Sequence, residues 1–201
     1  MKFGGIDMVN DKPTLNFFFE MAMLKRIKHE GWRVVGVETP DSVAEHALRA
    51  AQIAYFLACE EGHPEPEKAS LMLVFHDMAE ARVGDMHKIA KRYVMADELA
   101  AVRDQTDPLG EPGRRIRKLW EEFEARETSL AKIAKDADLL EQALAAKEYM
   151  ERGYKFADDF INNIKKILNT KTALRWMKQI TRMNSNDWWQ GLKKLEPQKR
   201  K

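Results

Sequence analysis

Apolar residues in this chain recur mainly at spacings of three and four, the mark of a buried stripe on a helix, and no convincing period-two strand pattern or hairpin turn pair interrupts them. Leu15 to Glu30, dense in Phe17, Phe18, Phe19, Met21, Met23, Leu24 and Ile27, predicts a first helix broken by Gly31. Trp32 to Val37 has no strand partner in view and reads as an extended loop. Ser42 followed three residues later by Glu45 is a capping-box start signal. The stripe behind it runs through Val43, Ala47, Ala50, Ala54 and Leu57, with His46 beside it facing the interior.

His63 to Pro66 predicts a turn, and Glu67 to Ala81 is apolar nearly all round, as a buried helix would be. A short helix is expected over Lys88 to Arg103. Two prolines and two glycines make Asp107 to Gly113 the strongest loop signal in the chain. Amphipathic Arg114 to Arg126 and the long Ser129 to Arg152, stopped by Gly153, follow. Phe156 to Leu168 and Thr172 to Asn184 complete an all-α array of seven to nine helices. No repeat or linker divides it, so one domain is expected over residues 1–201, with C-terminal helices over 156–190 and a basic tail over 192–201.

Composition narrows the function. The 201 residues suffice for one substantial core. Lys plus Arg number 34 against 32 for Asp plus Glu, and a net charge of +2 lacks the basic excess of a nucleic-acid-binding protein. The N-terminal residues lack the basic start and apolar run of a secretion signal, and no apolar run approaches the roughly 20 residues that span a bilayer. A cytoplasmic protein with no membrane partner is the expectation. A single cysteine, Cys59, excludes an internal disulfide and a thiolate metal site, and at the end of an apolar helix it reads as a small core residue.

The chemistry concentrates in His46, the adjacent pair His76-Asp77, and Asp138. Each has a plain structural reading: a hydrogen-bonded core histidine, an aspartate orienting its neighbour, an Asp138–Lys135 helical pair. Several such groups on otherwise buried helices are costly unless paired or bound to a cation. Two imidazoles and two carboxylates form a mixed nitrogen and oxygen set that suits one divalent first-row ion, cobalt or manganese among them, with zinc and magnesium as further candidates. Glu80, four residues after His76, is placed to take a proton from water. Asp85, after Gly84, could accept a sugar hydroxyl, and Lys135 could meet a phosphate.

The segments Ser42 to His46 (SVAEH), His76 to Glu80 (HDMAE) with Val83 to Asp85 (VGD), and Lys135 to Glu141 (KDADLLE) resemble the HD-domain phosphohydrolases. More narrowly they are similar to the branch holding bacterial 5′-deoxynucleotidase and the eukaryotic HD-domain-containing protein 2 group. The resemblance runs from about residue 24 to 150 and includes Leu119 to Glu124 (LWEEFE). It implies a helical HD fold, one catalytic divalent ion per chain, a homodimer, and hydrolysis of deoxynucleoside 5′-monophosphates. His46, His76, Asp77 and Asp138 fall on its metal ligands, Glu80 on its water-activating acid and Asp85 on its sugar contact. Trp32 falls on the tryptophan of its substrate loop. Where the bacterial enzyme carries Arg before that tryptophan, this chain has Gly31, as the second group does, so Arg33 and Lys135 are the phosphate-binding candidates. The metal site also fits other substrates, nucleoside triphosphates or cyclic nucleotides among them, with Arg82, Lys88, Lys91 and Arg92 as the extra cations. A non-catalytic helical scaffold with a structural metal is the reading from another class.

Overall fold

The computed structural model describes residues 10–193, and the basic tail beyond Lys193 lies outside them. The described residues form no strand; one isolated bridge pairs Lys28 with Ser42. The α-helices are α1 (Lys12–Met21), α2 (Gly31–Val34), α3 (Val43–Glu60), α4 (Pro66–Phe75), α5 (Glu80–Val83), α6 (Glu98–Thr106), α7 (Gly110–Ala125), α8 (Ser129–Glu151), α9 (Asp158–Ile164), α10 (Lys171–Ile180) and α11 (Asp187–Gln190). Three of these, α2, α5 and α11, are four-residue turns, which leaves eight longer helices, within the expected seven to nine.

The core is built on α3, which packs against both α4 and α8. The facing surfaces are rich in small residues: Ala50, Ala51, Ala54 and Ala58 from α3, and Ala134, Ala137, Ala143 and Ala146 from α8 are buried. Small side chains let helix axes approach closely, which brings polar groups on the two helices into direct reach. The start of α3 is fixed as expected: Glu45 N–H donates to Ser42 Oγ at 3.3 Å, and Ser42 N–H donates to Glu45 Oε2 at 2.6 Å. A second apolar cluster of Phe17, Met78, Ala79, Val102 and Trp120 lies beneath the segment that follows α4.

Several local expectations are corrected. The first helix stops at Met21, continues as a 3₁₀ turn over Ala22–Lys25, and ends well before Glu30. Gly31–Val34 is a helical turn, not an extended loop. The helix expected over Glu67 to Ala81 breaks at His76–Ala79, where N–H groups bond to carbonyls three residues back (Met78 to Phe75, Glu80 to Asp77). Its outer face is open, with Leu71 and Val74 about half exposed. Lys88 to Arg103 is not one helix: a 3₁₀ turn covers Ala90–Arg92, and α6 begins only after Asp97, whose carboxylate accepts from Ala100 N–H at 2.9 Å.

The expected loop at Asp107 to Gly113 is a 3₁₀ turn and then the first turn of α7. Gly110, at φ 65°, makes the corner. Gly113 lets α7 pass α6, since a Cβ there would sit 2.0 Å from the Thr106 carbonyl oxygen. Cys59 is exposed, not a core residue. No helix among the described residues is long and apolar enough to cross a membrane.

Candidate metal centre

His46 on α3, His76 and Asp77 at the break after α4, and Asp138 on α8 converge on one point. His46 Nε2 lies 3.3 Å from His76 Nε2, 3.2 Å from Asp138 Oδ1 and 3.8 Å from Asp77 Oδ2. Asp77 Oδ2 is 2.9 Å from His76 Nε2. The break makes this reach available: a regular helix turns successive side chains about 100° apart, whereas here two adjacent residues face a common centre. Gln105 holds the turn by donating Nε2–H to the Met78 carbonyl at 3.0 Å.

The partners behind each imidazole fix its proton. His76 Nδ1 lies 2.9 Å from the Leu73 carbonyl oxygen, which can only accept, so Nδ1 carries the hydrogen and Nε2 presents a lone pair. His46 Nδ1 is likewise committed to the Glu141 carboxylate. Glu141 is gripped by Arg49 through Nε at 2.9 Å and Nη2 at 2.7 Å, and Arg49 reaches on to Glu148 at 2.7 Å. Two imidazole lone pairs 3.3 Å apart beside two carboxylates form a set of acceptors that a cation unifies, and nitrogens coordinated at about 2.1 Å to one ion lie roughly 3 Å apart when set near right angles. The donor set therefore fits a divalent first-row ion. Two overlapping triads satisfy the spacing of such a site, His46-His76-Asp138 and His29-His46-Asp77, with ligand atoms within 4.8 Å of one another in each.

The electrostatics follow from burial opposed by contact. Burial opposes charge on His46, but hydrogen bonds to Asp138 and Glu141 outweigh it and raise its pKa well above the ordinary value, which favours a proton on Nε2 that a bound cation would displace. Burial works against ionised Asp138 too, yet Lys135, with Nζ 2.6 Å from Asp138 Oδ2, and His46 hold the carboxyl well below its usual range. His76 brings Asp77 down to about 2 against the cost of its burial. Glu80 goes the other way: burial, then the neighbouring Asp77 and Asp85 carboxylates, push it up to about 10. Its Oε2 is buried with no hydrogen-bond partner.

The remaining expected residues sit as follows. Asp85 accepts from Glu30 N–H at 2.6 Å, so the Gly84-Asp85 corner latches the loop ahead of α2 instead of pointing free. Lys135 is tied to Asp138 and lies over the Phe123 ring, 5.6 Å from its centroid. Trp32 is 1% exposed, its ring 4.3 Å from Phe160 and 5.1 Å from Tyr149, so it anchors the loop within the core and its face is not open for stacking. Arg33 is half exposed, bonded to Glu30 and to the Glu38 carbonyl. Of the cations considered for a triphosphate, Arg82 is engaged by Glu20 at 2.6 Å and Lys91 lies 3.9 Å from Glu98. Sequence reasoning missed His29, which falls at the end of the span read as the first helix and whose ring centroid is 4.5 Å from that of His46.

An all-helical core carrying a buried, open-sided histidine–aspartate set of this kind defines the metal-centred helical hydrolases. The HD-domain family model matches residues 21–181, and the chain belongs to that family. It is 37% identical over 145 residues to 5′-deoxynucleotidase HDDC2 of Dictyostelium discoideum, covering 67% of this chain and 76% of that protein. Identity to the human protein of the same name is 32% over 148 residues, 72% of each chain. A conserved hypothetical protein from Pyrococcus furiosus superposes with a TM-score of 0.71 at 28% identity, over 84% of this chain and 99% of that one.

Proposed function

We propose that this chain is a metal-dependent 5′-deoxynucleotidase, hydrolysing deoxynucleoside 5′-monophosphates to deoxynucleosides and phosphate. The observation that carries the reading is the convergence of the His46 and His76 Nε2 lone pairs with Asp77 and Asp138 beside an unpartnered Glu80. The names of the HDDC2 relatives support the substrate class.

His46, His76, Asp77 and Asp138 would hold one divalent ion, with cobalt or manganese the metals the mixed donor set suits best. When bound, such an ion polarises a phosphoryl oxygen and makes water a stronger nucleophile. Glu80 takes the proton of the water that attacks phosphorus as the bond to the 5′ oxygen breaks, and the protonated Glu80 returns it to that oxygen, which leaves as a hydroxyl. Its pKa of about 10 belongs to the metal-free site; a neighbouring dication favours its ionised form. Lys135 neutralises Asp138 at the back of the site and lends positive potential to it. Asp85 and Trp32 act by fixing the loop that borders the site.

A homodimer is part of the reading. Phe18 and Phe19 on α1, and Phe56 with Met183 along a groove of about 560 Å³ between α3, α8 and α10, are more than half exposed and offer apolar faces for a second copy. The cytoplasm is the proposed compartment.

Phosphate release tests the reading, using metal-stripped protein resupplied with cobalt, manganese or magnesium. The panel holds deoxynucleoside and ribonucleoside monophosphates, deoxynucleoside triphosphates and cyclic nucleotides. Metal-dependent release from deoxynucleoside monophosphates is expected. Release from triphosphates or cyclic nucleotides alone would overturn the substrate assignment, and no release with metal bound would overturn the activity.

A further inference from the structure

The four ligand side chains are not equally enclosed. Those of His46, His76 and Asp138 are 2%, 3% and 4% exposed, while that of Asp77 is 21% exposed. Glu141 closes the set behind His46, Leu73 behind His76, and Lys135 with Gln142 behind Asp138. A ligand from solvent therefore arrives beside Asp77.

That side is acidic, since the Asp77 and Asp85 carboxylates both act on Glu80 and both act on His29. An incoming phosphate needs a donor among them. Lys135 is occupied by Asp138, and Arg33 by Glu30 and the Glu38 carbonyl. His29 stands on this side: its nitrogen is within 4.8 Å of the ligand atoms of both His46 and Asp77. Among the described residues, neither ring nitrogen of His29 has a hydrogen-bond partner.

Its backbone is held on both flanks. His29 N–H donates to the Asp41 carbonyl at 2.9 Å, Glu30 N–H to Asp85 at 2.6 Å, and Trp32 N–H to the His29 carbonyl at 3.2 Å. The buried Trp32 ring pins the loop. A donor fixed in advance in this way loses little freedom on meeting its ligand.

We propose that His29 is the substrate-phosphate contact of this enzyme, donating a ring N–H to a phosphoryl oxygen on the Asp77 side of the centre. The assignment rests on the phosphomonoesterase reading above and supplies the phosphate contact that Gly31 leaves without an obvious residue. Because His29 also lies within ligand spacing of His46 and Asp77, the experiment separates a phosphate contact from a metal ligand.

The experiment is calorimetric titration of inorganic phosphate into cobalt-loaded protein, with cobalt affinity measured separately on stripped protein. His29→Ala is expected to weaken phosphate binding by about 10- to 100-fold, the loss of one hydrogen bond to a charged group, with cobalt affinity unchanged within about twofold. His29→Gln, which keeps a donor N–H, should recover part of the loss and guards against a folding defect. Equal phosphate affinity in wild type and His29→Ala would overturn the assignment of His29 alone. A matching fall in cobalt affinity would also overturn it, by making His29 a metal ligand. Wild-type protein that binds cobalt but no phosphate would sink the phosphomonoesterase reading, and His29's role with it.

Discussion

His46 and Glu141 sit 95 residues apart in sequence, yet the Glu141 carboxylate accepts the Nδ1 proton of His46 and thereby turns the opposite nitrogen toward the centre. Arg49 holds Glu141 from one turn further along α3. Outer carboxylates of this kind orient a ligand imidazole and raise its basicity, typically supporting metal affinity by about 10- to 100-fold. Glu141→Ala should therefore lower cobalt affinity by about that factor, and Glu141→Gln by less, since its amide oxygen still accepts. Cobalt titration followed by visible absorption reads this directly, and a change in stability without a change in affinity would reduce Glu141 to a packing role.

Glu80 separates binding from chemistry. Glu80→Gln should retain the metal while turnover falls on the order of 10²–10⁴-fold, the range for a missing general base. A variant that keeps wild-type turnover would remove Glu80 from the mechanism.

The same residue predicts a pH dependence in metal-free protein. Its pKa rises from an ordinary 4.5 to about 10 on folding, so the folded state holds a proton that the unfolded state gives up. Its penalty is absent below 4.5 and grows as pH rises toward 10, by at most about 1.4 kcal/mol per pH unit. Denaturation of stripped wild type and Glu80→Gln from about pH 5 to 9 should show the variant gaining relative stability with pH. A constant difference would contradict the burial of an uncompensated carboxyl.

Gly113 carries a prediction about the fold. A methyl group there would lie 2.0 Å from the Thr106 carbonyl oxygen and 2.8 Å from the Leu109 Cβ. Gly113→Ala should cost about 1–3 kcal/mol through backbone displacement, despite the better helix propensity of alanine. A melting temperature at or above wild type would show that α6 and α7 are not packed this closely.

Much of the centre was legible because its residues are chemically out of place. His46 and Asp138 interrupt apolar stripes, His76 and Asp77 are adjacent on a segment that reads as buried, and Ser42 with Glu45 marks where α3 begins. What escaped depends on three-dimensional context. The break after His76 carries no glycine or proline; Gln105 and the apolar cluster around Met78 impose it from distant helices. Pro108, Gly110, Pro112 and Gly113 read as a loop, yet proline is tolerated in a helix's first turn and glycine where helices touch. Trp32 carries no local sign of being interior; Phe160 and Tyr149 enclose it from α9 and α8. His29 was hidden in the span read as the first helix, which in fact ends by Lys25 and leaves His29 on the loop that follows.

The most direct test of the central claim is cobalt stoichiometry and phosphate release measured together on wild type and on Asp77→Ala. One cobalt per wild-type chain, with release from a deoxynucleoside monophosphate, and the loss of both in Asp77→Ala, is the result the four-residue centre predicts. Wild-type protein that takes up no cobalt or manganese, or an Asp77→Ala variant that keeps its metal and its turnover, would contradict it.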